Sequence, residues 1–458
     1  MKTYALILAA GKGTRMKTEL PKCAFPILKK PMISYIIENI EKSVIDETVV
    51  IVGHKKEVLE DILKDRVTYA FQEEQLGTGH AVLSAASLLE DKEGITFILP
   101  GDMPLMEYPI MNKIIASHLE MGNDLTVVTM SMDYPKGYGR ILRDENNAVT
   151  GIIEENDCND YQKHIKEVNS SVYVVDNKLL FKYVKEIKKN PRKGEFYLTD
   201  IVALMHQHEK VNTFQVRDAS ITMGINDLYQ ISKAEKYLRD SINKSHMLSG
   251  VSIINPETVT IGHNVRIEEG VWIYPNTTIT GDTLIKKGAI VGPNSEVVNS
   301  IIEEEAEIRH SIVLDSKVGK KTTVGPFAHL RNHADIGEHN RIGNFVEVKN
   351  AKTGSDTKAS HLIYIGDAEV GANVNFGCGA VTVNYDGVNK HKTKIGHDVF
   401  VGCNVNLIAP IEVGDNVFIA AGSTVTENIP NGALAIARNR QINKEDYAKN
   451  LIKPKNPL

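Results

Sequence analysis

Leu8-Ala9-Ala10-Gly11-Lys12-Gly13-Thr14-Arg15-Met16 carries an apolar run into a charged glycine loop, and Pro21-Lys22 follows shortly after. Glycines let a backbone approach phosphate oxygens closely, and the loop N–H groups with Arg15 and Lys22 would neutralise phosphate charge. The G-x-x-x-x-G-K-S/T spacing of a P-loop is absent, and a bare tight turn is the competing reading. Pro100-Gly101-Asp102 puts a carboxylate just after the apolar run 95–99. Such a group suits Mg2+, which takes one or two protein oxygens and fills its other positions with water and phosphate. An Asp that caps the next turn is the plainer alternative. Gln72-Glu73-Glu74-Gln75-Leu76-Gly77-Thr78-Gly79-His80 adds a second glycine turn opening a helix. Far downstream, Glu347, Lys349, His361 and Tyr364 fall at or near an interruption of a six-residue rhythm, and Asn384-Tyr385-Asp386-Gly387 fills a second one. Imidazoles titrate near neutrality, so His361 is the natural general base of that group, against the ordinary reading of one solvated histidine among fifteen.

The elements that would position these residues change character along the chain. Up to about residue 226, apolar runs at 4–10, 48–52, 95–99, 125–130 and 171–175 alternate with helical patterns at 32–43, 80–90 and 196–208. Near-continuous apolar strands suit a mostly parallel sheet buried on both faces, so the spacing predicts a doubly wound α/β domain with ligands at the strands' carboxyl ends. Beyond residue 248, aliphatic residues recur every six positions: Ile261, Ile267, Ile273, Ile279, Ile285, Val291 and Val297. A shifted run is Ile312, Val318, Val324, Leu330, Ile336, Ile342 and Val348, and a third is Ile395, Val401, Leu407, Val413, Ile419 and Val425. Val265, Val271, Thr277, Thr283, Ala289 and Ser295, all small or β-branched, sit four places after residues of the first run. That is the hexapeptide signature of a parallel β-helix, whose rhythm breaks at about 349–369 and 383–394. Between the halves, Leu228, Ile231, Leu238 and Ile242 among charges predict an amphipathic linker helix. The domains are expected at 1–226, 227–247 (linker) and 248–458.

Composition narrows the classes. The chain has 458 residues with 42% apolar and 24% charged side chains, ordinary for a globular protein and foreign to a disordered one. Its net charge of −5 argues against a nucleic-acid binder, and no apolar run approaches the roughly 20 residues that span a bilayer. The apolar run near the N-terminus leads into charge rather than a cleavage site, so a buried strand is expected, not a signal peptide. Cys23, Cys158, Cys378 and Cys403 show no C-x-x-C pairing, and a cytoplasmic location is expected.

Taken together, the Leu-x-x-Gly-x-Gly-Thr-Arg-Met loop, Pro-Lys, Gln-Leu-Gly-Thr-Gly-His, Gly-Asp and Gly137-Tyr138-Gly139-Arg140 resemble the sugar-nucleotide pyrophosphorylases. With the β-helix behind them, residues 3–440 resemble the bacterial bifunctional N-acetylglucosamine-1-phosphate uridyltransferase/glucosamine-1-phosphate acetyltransferases. The resemblance implies a left-handed β-helix forming a homotrimer, Mg2+ as cofactor, and four substrates: UTP, N-acetylglucosamine 1-phosphate, glucosamine 1-phosphate and acetyl-CoA. It implies that Leu8, Ala9, Ala10, Gly11 and Lys22 line the nucleotide site, with Arg15 and Lys22 acting on the phosphates. Gln72, Gly77 and Thr78 would read uracil, and Gly101, Asp102, Gly139, Glu154 and Asn169 would contact the sugar nucleotide. Asp102 and Asn226 would hold Mg2+. In the second half it implies that Arg331, Lys349, Tyr364 and Asn375 bind glucosamine 1-phosphate, and that His361, oriented by Glu347, is the base. Cys378, Asn384, Tyr385, Cys403, Ala421 and Arg438 would contact acetyl-CoA. The sequence departs from the family at Pro100, where an aromatic is usual, at Asn169-Ser170-Ser171 in place of Asn-Thr-Gly, and at Cys378 and Cys403 in place of Ala and Ser.

Three other readings compete. The first keeps only the pyrophosphorylase, with the β-helix as an oligomerisation or regulatory module; Lys349, His361, Tyr364 and Asn375 speak against it. A scaffold leaves Asp102, Asn226 and the glycine loop unexplained. A β-helix metal hydratase would draw on His310, His329, His333, His339 and His361, whose spacing matches no ligand set.

Overall fold

The computed structural model describes residues 1–451 except residue 12, and divides them into two compact units, Met1–Leu238 and Arg239–Leu458, the latter described as far as residue 451. Lys12 of the glycine loop and the last seven residues of the expected 248–458 domain lie outside the described residues.

The first unit is built on one twisted sheet. Its strands are β1 (Thr3–Leu8), β2 (Glu47–Val52), β3 (Thr68–Phe71), β4 (Ile95–Pro100), β5 (Leu125–Ser131), β6 (Arg140–Arg143), β7 (Val149–Ile153), β8 (Glu167–Asp176) and β9 (Val211–Val216). The main order is β9-β5-β8-β4-β1-β2-β3, with β6 and β7 a small antiparallel pair attached through β8. The strands β3, β2, β1 and β4 run parallel, so the carboxyl ends of β1 and β4 open onto one edge. The expected strand at 171–175 is part of β8, which runs antiparallel to both β4 and β5. The sheet is therefore mixed, as an α/β layer often is when one strand returns against the others. Apolar cores lie on both faces, one around Leu6, Ile98 and Val127, the other around Ile7, Phe97 and Val128. This alternation along each strand follows from the period of two.

The expected helix at 80–90 is two shorter ones, Thr78–Leu83 and Ala86–Leu89, while those at 32–43 and 196–208 are Met32–Glu41 and Asp200–His206. The predicted linker is the helix Leu228–Leu248. Its first part buries Ile231, Ala234 and Leu238 among Met16, Ile27, Met32 and Leu105 of the first unit. Within the second unit, Ile242 packs against the apolar core and Asn243 donates to the carbonyls of Pro256 and Val259.

The second unit is a parallel β-helix of short strands stacked in three columns. One face carries Thr278–Thr280, His329–Arg331, the end of Arg341–Lys349 and Tyr364; a second carries Arg266–Ile267, Asp335–Ile336 and Lys352–Thr353; a third carries Trp272–Ile273, Thr323–Val324, Asn375–Phe376 and Phe400–Val401. The aliphatic positions of the first and third runs point inward, Ile267 alone being only half-buried. Val265, Val271, Thr277, Thr283, Ala289 and Ser295 are buried beside them.

Two sequence expectations are corrected here. Ile312 is 41% exposed, and Val313 takes the inward place at 0%. The preceding coils shorten, with Ile302, Ile308, Val313 and Val318 inward, so a strict count of six runs out of phase. The interruption at 349–369 is not a loop. Thr353, Ala359 and Ile365 are buried and the strand Lys358–Gly366 stays in the coil. Small inward residues hide the rhythm without breaking the fold. The second interruption does leave the coil, as a short excursion closed by a bridge between Tyr385 and Lys390. No helix among the described residues is long and apolar enough to cross a membrane.

Candidate functional site

A cavity of about 750 Å3 opens at the carboxyl ends of β1 and β4. Its walls include Leu8, Ala9, Ala10, Gly11, Arg15, Lys22, Gln72, Gly77, Thr78, Asp102, Gly139, Glu154, Asn169 and Asn226. Gly101 lies just beneath, where a Cβ would stand 3.0 Å from Cys23 Sγ and 3.1 Å from the Ala9 Cβ. The Cys23 thiol is pushed up to about 12, by burial first and the Asp102 carboxylate second, so it is an inert part of the floor.

The chain reaches this arrangement through a few backbone devices. Gly101 N donates to Leu8 O at 2.9 Å, locking the ends of β4 and β1 together. Gly13 turns at φ +63, and Gly77 at φ +105, where a Cβ would lie 2.5 Å from Phe196 O. Only glycine fits there, because the Gly77-Thr78-Gly79 turn is held against Phe196 and Leu198 by backbone and Thr78 hydroxyl contacts. Gln72 is buried, its amide donating to Gly77 O at 3.2 Å and facing His80 Nδ1 at 3.1 Å. Asn169 is buried between Tyr173 OH at 2.8 Å and Ser171 N at 2.9 Å, at a bulge in β8. Ser171 sits at φ +65, a left-handed position that glycine takes without strain, which gives the family's Asn-Thr-Gly pattern a physical cause.

Charge is concentrated at one point of the rim. Lys22 Nζ pairs with Asp102 Oδ2 and donates to Asn226 Oδ1 at 2.7 Å, and Arg15 Nη2 donates to the same oxygen at 2.7 Å. A carboxylate and an amide oxygen thus meet at one ammonium. The peptide N–H of Ile225 donates to Asp102 O at 3.0 Å, which ties the two donors' loops together. Two hard oxygens converging on a cation fit a divalent metal that completes its shell with water and phosphate. Glu154 is held above the usual carboxylate range by burial, with the Thr199 hydroxyl donating to it at 3.2 Å. Lys136, Lys193 and Tyr197 also line the cavity, and the sequence reading omitted them. They stand in irregular segments with no motif; only the positive charge of the two lysines beside Gly137 and Gly194 could have hinted at a phosphate role.

In the second unit the corner after the third face aligns Asn344, His361 and Cys378 in successive coils. His361 Nδ1 and Asn344 Oδ1 lie 2.7 Å apart, so Nδ1 carries the hydrogen and Nε2 keeps its lone pair for a proton. Within one chain, Glu347 is not the group that meets His361. The register places Glu347 beside Tyr364 rather than His361, and Arg331 binds its carboxylate at 2.6 and 2.8 Å. Around Tyr364, Lys349 Nζ lies 3.6 Å from Asp367, which accepts from Asn350 and Asn384, while Asn384 Nδ2 is 3.5 Å from Tyr364 OH. Those amides, with Lys349 and Lys390, keep the Asp367 carboxylate below its usual range against the opposing effect of burial. Asn375 stands apart, on the third face between Lys358 and Phe400, so one chain does not bring it to Arg331, Lys349 and Tyr364. Cys403 and Ala421 continue the His361 column, Arg438 lies beside Gly422, and Tyr385 is exposed on the excursion. No three His, Cys, Asp or Glu side chains among the described residues could hold a metal together.

Known proteins bear on both units. Residues 4–238 match the nucleotidyl transferase family, and residues 264–299, 315–350 and 392–427 match the bacterial transferase hexapeptide repeats. A bifunctional protein GlmU from Acholeplasma laidlawii is 62% identical over 455 residues, 99% of either chain. The chain belongs to the GlmU family. A GlmU of a Geobacillus species is 44% identical over 457 residues, covering 100% of both chains, and one from Streptococcus agalactiae is 43% identical over 458. As a GlmU-family protein it is a bifunctional transferase, with a nucleotidyltransferase unit followed by a hexapeptide-repeat unit.

Proposed function

We propose that the chain makes UDP-N-acetylglucosamine in two steps, acetylating glucosamine 1-phosphate in the β-helix and then uridylylating the product in the α/β unit. The observation that carries this reading is the meeting of Arg15, Lys22, Asp102 and Asn226 on one rim of the cavity, because uridylyl transfer needs charge neutralisation and positioning rather than a nucleophilic side chain. Gln72, Gly77 and Thr78 would bind the base, Gly139, Glu154 and Asn169 the sugar, and Arg15 and Lys22 the phosphates. Asp102 and Asn226 would hold Mg2+, which when bound supplies charge to the phosphate oxygens.

In the β-helix His361 Nε2 would take the amine proton while Lys349, Arg331 and Tyr364 hold the sugar phosphate. The separation of Asn375 from those residues supports a homotrimer, in which a neighbouring subunit's third face would complete the site. Four free thiols suit a cytoplasmic enzyme. The test is to incubate the full chain with glucosamine 1-phosphate, acetyl-CoA, UTP and Mg2+, omitting one at a time. CoA release should need only the first two, and pyrophosphate release should need UTP, Mg2+ and an acetylated sugar. Pyrophosphate released from unacetylated sugar at the same rate would overturn the order.

A further inference from the structure

The two exposed cysteines of the second unit share a column. Asn375–Phe376 pairs in parallel with Phe400–Val401, and Val381–Val383 with Asn406–Ile408, at the same offset before and after the corner. Cys378 and Cys403 are therefore level on adjacent coils. Hydrogen bonds from Gly377 N to Val401 O at 2.7 Å and from Asn404 N to Cys378 O at 2.8 Å fix that register on either side. Gly379 at φ +76 and Asn404 at φ +54 turn the chain the same way after each cysteine, so both side chains leave the corner in one direction. Both thiols are free and exposed, whereas Cys23 and Cys158 are buried. One coil before Cys378, the same column holds His361.

Adjacent strands lie about 4.8 Å apart, inside the roughly 4.4–6.8 Å range of Cα separations found in disulfides. Parallel side-chain directions keep the Cβ atoms wider apart than such bridges favour, so a bond here would be strained and easily reduced.

We propose that Cys378 and Cys403 are a dithiol that closes reversibly by exchange with a small-molecule disulfide, and that closure stops acetyl transfer at the neighbouring His361. One thiolate attacks a sulfur of R–S–S–R, forming a mixed disulfide and expelling a thiolate that takes up a proton. The second cysteine thiolate attacks the protein sulfur of that mixed disulfide, forming the Cys378–Cys403 bond and releasing the other thiol. Two protein thiols are oxidised and the small disulfide is reduced to two thiols. The covalent step stands on the register alone; its consequence rests on the acetyl-transfer reading.

Oxidised glutathione is the probe, applied to the full-length protein, followed by alkylation and peptide mapping without reduction. A peptide joining Cys378 to Cys403, loss of CoA release, unchanged pyrophosphate release from supplied N-acetylglucosamine 1-phosphate and recovery with dithiothreitol are expected. Cys378→Ala and Cys403→Ala should each stop at a glutathione adduct on the remaining cysteine. Separate adducts on both cysteines of the unaltered chain, or no reaction, would overturn the dithiol. A linked peptide with undiminished CoA release would overturn the block. If the untreated protein releases no CoA, the acetyl-transfer reading fails, while the linked peptide still decides the dithiol.

Discussion

Replacing Asn344 with leucine keeps the branched outline of the side chain and removes the oxygen 2.7 Å from His361 Nδ1. Without that acceptor the ring can rotate or adopt the other tautomer, in which Nε2 carries a hydrogen and cannot act as base. A hydrogen bond of this kind nets about 0.5–1.5 kcal/mol, and water can replace part of it because His361 is exposed. At 1.36 kcal/mol per tenfold, kcat for CoA release should fall about 2–10-fold with KM for glucosamine 1-phosphate unchanged. His361→Ala should cost about 10²–10⁴ in the same assay, because it removes the proposed base itself. Asn344→Asp provides the sign test. A carboxylate beside Nδ1 favours the imidazolium, so the base would become neutral only at higher pH. The rising limb of the CoA-release profile should shift upward in that variant and stay put in Asn344→Leu. Pyrophosphate release from supplied N-acetylglucosamine 1-phosphate should be indifferent to all three. An Asn344→Leu enzyme with unaltered kcat, or an Asp variant with an unshifted limb, would refute the positioning role.

Asp102→Asn removes the carboxylate from a pair whose side chains are only 14% and 17% exposed. Pyrophosphate release should drop by about 10²-fold or more, because several kcal/mol of charge stabilisation are at stake, with CoA release intact. Val313→Ala should lower the stability of the second unit by roughly 2 kcal/mol in urea titration, while Ile312→Ala next to it stays within about 0.5 kcal/mol. Burial holds the His118 imidazole down at about 4, with Thr126 Oγ1 2.9 Å from Nδ1. The unfolded chain takes up that proton near 6.5, so stability of the first unit should decline as pH falls from about 6.5 to 4 and be flat above; His118→Gln should shallow the decline in thermal melts.

Periodicity disclosed the architecture wherever a position is filled by one residue class. The inward aliphatic column announced the β-helix, and buried strands such as Ile95–Pro100 announced the sheet. Strands at the sheet's edges did not, because Thr68–Phe71 and Val211–Val216 are half-exposed and mix polar with apolar residues. Thr353 and Ala359 show the converse: small inward residues keep the coil and lose the signal. At the sites, glycine turns and Asp102 were legible because few residue types fit them. The Asn344 contact of His361 was not, since it depends on which coil position lies level with the imidazole. Register of that kind is a property of folded neighbours, not of spacing within one segment.

Each coil of the β-helix bonds only to the coils before and after it. A stack of this kind melts from its ends inward, as terminal coils fray with little loss to the rest. The Asn344–His361–Cys378 column belongs to interior coils, with several on either side. Hydrogen exchange should accordingly run slowest around Arg341–Lys349 and Lys358–Gly366 and quicken toward Ser252–Ile253 and Leu434–Ala435. The outermost coils act as insulation: they absorb the fraying so that the geometry at His361 survives until the whole column gives way.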